Sequence, residues 1–151
     1  MGKKSAGLLL YRWHGQEMEV LLAHMGGPFW KNKDEGAWTL PKGEYEAEEP
    51  LEAAQREFQE ETGFALPPGP YLPLAPIKQS GGKTVLAFAA EGDCDPARLE
   101  SNTFEMEWPP KSGRRQSFPE VDRAAWLPIE AAKRKILKSQ RPLLDDLKEQ
   151  L

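Results

Sequence analysis

Residues 43–64 read GEYEAEEPLEAAQREFQEETGF. Pro50 suits the first position of a helix, where its missing N–H costs nothing, and Gly63 suits a helix end. The stretch therefore predicts a helix from Pro50 to the Gly63 stop. At about 100° per residue, Glu57, Glu60 and Glu61 fall within one arc of about 100°. Leu51, Ala54 and Phe58 form an adjoining apolar stripe for the core. Such a helix is expected to be buried along one side and to present its carboxylates beside that side. Like charges three or four residues apart destabilise an isolated helix by roughly 0.2–0.5 kcal/mol per pair, and the macrodipole disfavours anions near the C-terminal end. Helix propensity alone does not place these glutamates there. A divalent cation that prefers oxygen ligands, Mg2+ or Mn2+, would turn the repulsion into coordination. A solvated acidic face is the plainer alternative.

The acidity is local. Eight glutamates and one basic residue, Arg56, lie between Glu44 and Glu61, leaving 19 basic against 16 acidic residues elsewhere in a chain of net charge −4. An extended basic face for a nucleic-acid polymer is not expected from that pattern. With 151 residues and 39% hydrophobic content, one domain over 1–151 is expected, with a core that needs no staples. A single cysteine, Cys94, excludes a disulfide framework, and with only His14 and His24 beside it a Cys/His zinc site is excluded too. No apolar run reaches membrane-spanning length. The start, Met1-Gly2-Lys3-Lys4-Ser5-Ala6, fits neither a signal peptide nor a myristoylation site, so a cytoplasmic protein is expected.

Outward from the helix, residues 5–13 and 18–25 read as a strand hairpin, with a loop from Gly26 to about Gly36 and a short strand from Ala37 to Pro41. After the helix, 66–73 reads as proline-rich loop, and strands are expected near 74–79 and 83–90. Gly82-Lys83-Thr84 lacks the earlier glycine of a phosphate-binding loop, so a hairpin turn is expected. Residues 103–108 read as a strand and 109–117 as a loop. Trp126-Leu127-Pro128 closes a last short strand, and Ile129–Leu137 and Pro142–Leu151 read as helices. Without regular βαβ alternation, the class is α/β of the mixed-sheet (α+β) kind.

The quoted string resembles the Nudix box, G-x5-E-x7-R-E-U-x-E-E-x-G-U, where U is aliphatic or aromatic. The match runs through Glu48, Arg56, Glu57, Phe58, Glu60, Glu61, Gly63 and Phe64. It departs at the start, where four residues instead of five separate Gly43 from Glu48. Trp38-Thr39-Leu40-Pro41-Lys42-Gly43 is similar to the strand and turn that lead into the box. The resemblance implies a Nudix-type α/β/α sandwich around a mixed β-sheet. It also implies metal-dependent hydrolysis of a nucleoside diphosphate linked to another moiety, by water attack on phosphorus.

Carried over by position, Glu57, Glu60 and Glu61 would be the metal ligands, Arg56 would orient them, and Glu48 would support Arg56. The backbone carbonyl ligand falls to Gly43 or, given the shortened loop, to Lys42. The general base varies in the family; Glu120 is the first choice outside the box, ahead of Glu105 and Glu107. Phe29 and Trp30 are candidates to stack on a base, and Lys42, Arg114 and Arg115 to touch phosphates. A small-molecule nucleotide or diphosphate substrate is expected, with a lean toward dinucleoside polyphosphates, and the protein is expected as a monomer or homodimer. A non-catalytic Nudix domain that binds a nucleotide and regulates is the alternative, and an acidic helix serving as a protein-interaction surface is a third.

Overall fold

Alternation of large aliphatic residues along the first strand decides the layers, because side chains of a strand point to opposite faces in turn. A computed structural model describes residues 3–151, so Met1 and Gly2, with the reading of the start that uses them, lie outside the described residues. Strand β1 spans Lys4–His14 and β2 Glu17–Met25, paired antiparallel as expected. Leu8 and Leu10 of β1 pack with Leu21, Phe58 and Phe64 on one face. Leu9 packs with Val20, Leu22 and Val85 on the other.

Strand β3 is Trp38–Thr39 and β4 is Lys42–Tyr45, and helix α1 follows over Pro50–Thr62. Beyond the short β5 (Leu72–Pro73) and β6 (Ile77–Gln79), β7 (Lys83–Glu91) runs parallel to β1. That parallel pairing needs a crossover, and α1 provides it. A hairpin of β8 (Thr103–Glu107) and β9 (Arg115–Pro119) stands apart as its own two-stranded sheet. Then β10 (Val121–Pro128) returns antiparallel to β2. The main sheet is ordered β10-β2-β1-β7-β5, with β3, β4 and β6 attached to β2, β1 and β7. Helices α2 (Ile129–Lys135) and α3 (Arg141–Gln150) cover the Leu9 face with Ala132, Leu143, Leu144 and Leu147. The layers are helix, mixed sheet, helix, the expected α/β/α sandwich. No helix among the described residues is long and apolar enough to cross a membrane.

Several stretches differ from the sequence reading, the shortest being Leu72–Pro73, which ends the expected 66–73 loop and forms β5. Lys42–Tyr45, read as the turn into the box, is a strand paired with Lys4–Gly7 of β1. Residues 115–117, read as loop, belong to β9; Arg115, Gln116 and Ser117 are exposed, so cross-strand pairing shapes them rather than burial. The last strand begins at Val121, because its register shifts between Val121 and Arg123 and breaks the period-2 pattern a sequence reader looks for.

A fully buried side chain ties the far helix layer to the segment entering the box. Gln140 Nε2 donates to Thr39 Oγ1 (2.9 Å), and Gln140 Oε1 accepts from the Leu40 N–H (3.1 Å). Thr39 Oγ1 donates in turn to the Leu40 carbonyl. Gln140→Leu keeps the bulk but leaves the buried Leu40 N–H without its acceptor, so a loss of about 1–3 kcal/mol is expected. Urea unfolding midpoints of the two proteins check this. An unchanged midpoint would show that the segment holds without the clamp.

Candidate active site

Helix α1 has the limits its sequence dictates. Glu49 before it is extended, Pro50 opens it, and Gly63 ends it in the left-handed conformation (φ 73°), its N–H donating to the Gln59 carbonyl at 2.8 Å. The buried positions are Ala53, Ala54, Glu57, Phe58, Glu61 and Thr62. Two of the three glutamates therefore sit within the buried stripe instead of beside it. The Glu57 side chain is 11% exposed and that of Glu60 44%, so the helix divides them into an inner pair and an outer carboxylate.

Strand β4 explains how the inner pair is covered. A Cβ added to Gly43 would stand 2.1 Å from Cδ and from Oε2 of Glu57, so the missing side chain is the space the carboxylate occupies. Any residue but glycine here would displace Glu57 or the strand. Lys42, half-buried one residue earlier, brings its charge and a backbone hydrogen bond to Glu61. Arg56 anchors the outer side. Its Nε and Nη2 donate to the two oxygens of Glu48 at 2.8 and 2.7 Å, a bidentate pair. Its Nη1 donates to Glu57 at 3.1 Å and to Glu60 at 3.2 Å. Glu48 and Arg56 thus have the partnership the box implies.

Glu120 reaches the same place through the backbone. Its N–H donates to the Asn102 carbonyl, the Asn102 N–H donates to the Glu60 carbonyl, and the Glu120 carbonyl accepts from the Gly26 N–H. The Glu120 charge acts on both Glu57 and Glu61. Burial above all, then the Glu57 and Glu120 charges, pushes the Glu61 carboxyl up to about 8, against the opposing Lys42. Burial likewise raises Glu57, with Arg56 opposing, and lowers Lys42. Hydrogen bonds from Arg56 hold Glu48 below the usual carboxylate range.

The raised Glu61 value makes the metal-free protein pH-sensitive in a definite direction. The folded state holds a proton that the unfolded chain releases near pH 4.5, so this contribution to stability is complete below about 4.5 and lost as pH rises through about 8. In EDTA, urea unfolding is expected to show the wild type losing stability against Glu61→Gln across that window. Parallel pH curves for the two proteins would contradict it.

Among the described residues, no three His, Cys, Asp or Glu side chains already stand as a metal-binding group. Glu60 is turned toward Arg56 instead. The donor set nonetheless fits a hard divalent cation: two buried carboxylates left without full neutralisation, a backbone brought against one of them, and a third carboxylate on the same helix, linked to Glu57 through Arg56.

Other residues named from the sequence lie further out. Phe29 is 57% exposed and meets Trp108 edge to face at 5.4 Å between ring centres. Trp30 plugs its loop against the core, with the Lys33 ammonium 5.3 Å from its ring centre. Arg115, Glu105 and Glu107 lie on the exposed face of the β8–β9 hairpin, and Arg114 in the exposed loop before it. His24 is fully buried between Asp122 (2.8 Å from Nδ1) and the Lys33 carbonyl (2.6 Å from Nε2). Burial pushes the Cys94 thiol up to about 11, consistent with an inert residue. Sequence reading passed over Trp108, Gln116 and Phe118. Their signal was the apolar alternation Phe104-Met106-Trp108, which continues across the strands to Phe118.

The layered fold thus sets an acidic helix against a glycine strand at one edge of a mixed sheet. A family model described as the NUDIX domain matches residues 1–147. The chain belongs to the Nudix family of hydrolases, which act on phosphorus-containing acid anhydrides. Its fold is similar to that of the NUDIX domain of Shewanella oneidensis NrtR in complex with ADP ribose (18% identity, 99% of this chain and 88% of that one, TM-score 0.68). It is also similar to a Caenorhabditis elegans Ap4A hydrolase in a binary complex (22% identity, 97% and 96%, TM-score 0.65). A third similar structure is the C-terminal domain of mouse MUTYH in complex with human PCNA (18% identity, 99% and 90%, TM-score 0.62). At these identities the likeness is one of fold. No curated protein matches the sequence.

Proposed function

We propose that this chain, as a single domain over 1–151, is a metal-dependent pyrophosphohydrolase that cleaves a nucleoside diphosphate linked to another moiety. The observation that carries the reading is the pair of buried carboxylates, Glu57 and Glu61, the first packed against the side-chain-free backbone of Gly43 and both within reach of the Glu120 charge. Glu57, Glu60 and Glu61 would hold Mg2+ or Mn2+ with the Gly43 carbonyl, which the close approach to Glu57 favours over that of Lys42. A divalent cation there neutralises phosphate oxygens and lowers the pKa of bound water. Arg56 holds Glu57 and Glu60 through its hydrogen bonds, and these carboxylates would be the ones to share with a cation. Lys42 faces the substrate's charge, Phe29 offers an exposed ring, and Glu120 takes the proton from the attacking water. Arg115 and Trp30 contribute from the hairpin and the core.

A dinucleoside polyphosphate is the favoured substrate, in line with the Ap4A hydrolase of like fold and near-complete mutual coverage. We place the protein in the cytoplasm, as a monomer or homodimer acting on small molecules. The second reading, a regulatory nucleotide binder, draws support from the likeness to the NrtR domain. Incubation with Mg2+ or Mn2+ and a panel of dinucleoside polyphosphates, ADP-ribose, NADH, nucleotide sugars and oxidised dNTPs tests both. Metal-dependent cleavage of one class, with products resolved by chromatography, is the expected result. Retention of uncleaved nucleotide across the whole panel would favour the regulatory reading.

A further inference from the structure

A cavity of about 520 Å³ lies between the Gly27–Lys31 loop and one face of the β8–β9 hairpin. Its volume is in the range that takes a small molecule. The hairpin is two-sided: Thr103, Glu105, Glu107, Arg115 and Ser117 are exposed on one face, while Phe104, Met106 and Phe118 are half-buried on the other. A lone two-stranded hairpin is marginal in water, and this one is held by laying its aromatic face toward the loop. A Cβ on Gly27 would come within 3.0 Å of the Phe104 ring, and Phe29 meets Trp108. The cavity stays open beside them, walled by Trp108 and Phe118.

Its polar groups are few and held in place. Asp122 is fixed by the fully buried His24, 2.8 Å away. The Gln116 amide is oriented by its Nε2 bond to the Trp108 carbonyl at 2.9 Å. Lys31 supplies one positive charge at the rim. Pro119 and Asp122 line the cavity and flank Glu120, the residue whose charge reaches Glu57 and Glu61. The lining of the cavity is therefore continuous in sequence with Glu120. The Asn102 link from Glu60 to Glu120 fixes the hairpin's root to the end of α1.

We propose that this cavity receives the heterocyclic base of a nucleotide, with the β8–β9 hairpin as the element that selects it. Trp108 and Phe118 give the ring its stacking surface, Gln116 and Asp122 meet its hydrogen-bonding edge, and Lys31 faces the phosphate. Asp122 accepts only, so bases carrying an amino group fit best. The attached diphosphate then extends past Glu120 toward Glu57 and Glu61. This assignment rests on the proposed function for its direction, since the diphosphate must lead to the carboxylates.

The test needs no catalysis. AMP, GMP, UMP and ribose 5-phosphate are titrated calorimetrically into the full chain in EDTA, where no anhydride is present to be cleaved. AMP and GMP are expected to bind more tightly than ribose 5-phosphate. Trp108→Ala and Phe118→Ala are each expected to weaken AMP and GMP at least about tenfold without changing ribose 5-phosphate. Gln116→Leu, which leaves the aromatic packing intact, is expected to alter the preference among AMP, GMP and UMP. Mononucleotides binding no better than ribose 5-phosphate would overturn the assignment, as would binding that ignores Trp108→Ala and Gln116→Leu alike. Binding without any anhydride hydrolysis would leave the cavity standing and refute only the catalytic reading.

Discussion

Glu61→Gln is expected to lower turnover of the anhydride substrate at saturating Mg2+ by about 10²–10³-fold or more while leaving the protein folded. The magnitude follows from removing a charged ligand of the cation that would neutralise the reacting phosphate. Glutamine has the same shape, but it offers a neutral oxygen where a carboxylate would neutralise the cation. Because the ionised form of Glu61 is disfavoured by burial, the variant in EDTA at pH 8 is expected to unfold at a higher urea concentration than the wild type. Loss of function with gained stability separates a ligand role from a structural one. A variant with near wild-type turnover would remove Glu61 from the site.

Gly43→Ala is the second large effect. The added methyl would stand 2.1 Å from the Glu57 carboxylate, and Ala6 opposite Gly43 in the β1–β4 ladder holds the strand in register. The flexible partner, Glu57, is the one that must move, and Arg56 is already hydrogen-bonded to it on the outer side. The fold should survive with a small stability change, while apparent Mg2+ affinity falls at least about tenfold, a loss typical of disturbing the support of a metal ligand. Activity titrated against Mg2+, alongside urea unfolding, reads both quantities. An unchanged metal requirement would show that Glu57 is not positioned by the glycine.

These effects trace back to what the sequence carried and what it did not. Pro50 and Gly63 fix the ends of α1 through local backbone chemistry, so the helix and the grouping of Glu57, Glu60 and Glu61 were legible. The burial of Glu57 and Glu61 apart from Glu60 was not, because it depends on β4 crossing over the helix, and Lys42–Tyr45 carries no strand pattern of its own. The approach of Glu120 depends on two backbone hydrogen bonds to Gly26 and Asn102, distant in sequence and independent of side-chain type. The hairpin showed its apolar alternation only on β8. Its partner strand is polar at three of five positions, and at those positions owes its form to pairing.

The central claim is that Glu57 and Glu61 hold a divalent cation, and the most direct measurement is electron paramagnetic resonance of Mn2+ titrated with the protein. The account predicts that wild type depletes the free Mn2+ signal and that a Glu57→Gln/Glu61→Gln double variant leaves it largely intact. Equal depletion by both proteins, or none by wild type in the presence of a nucleoside diphosphate, would contradict it.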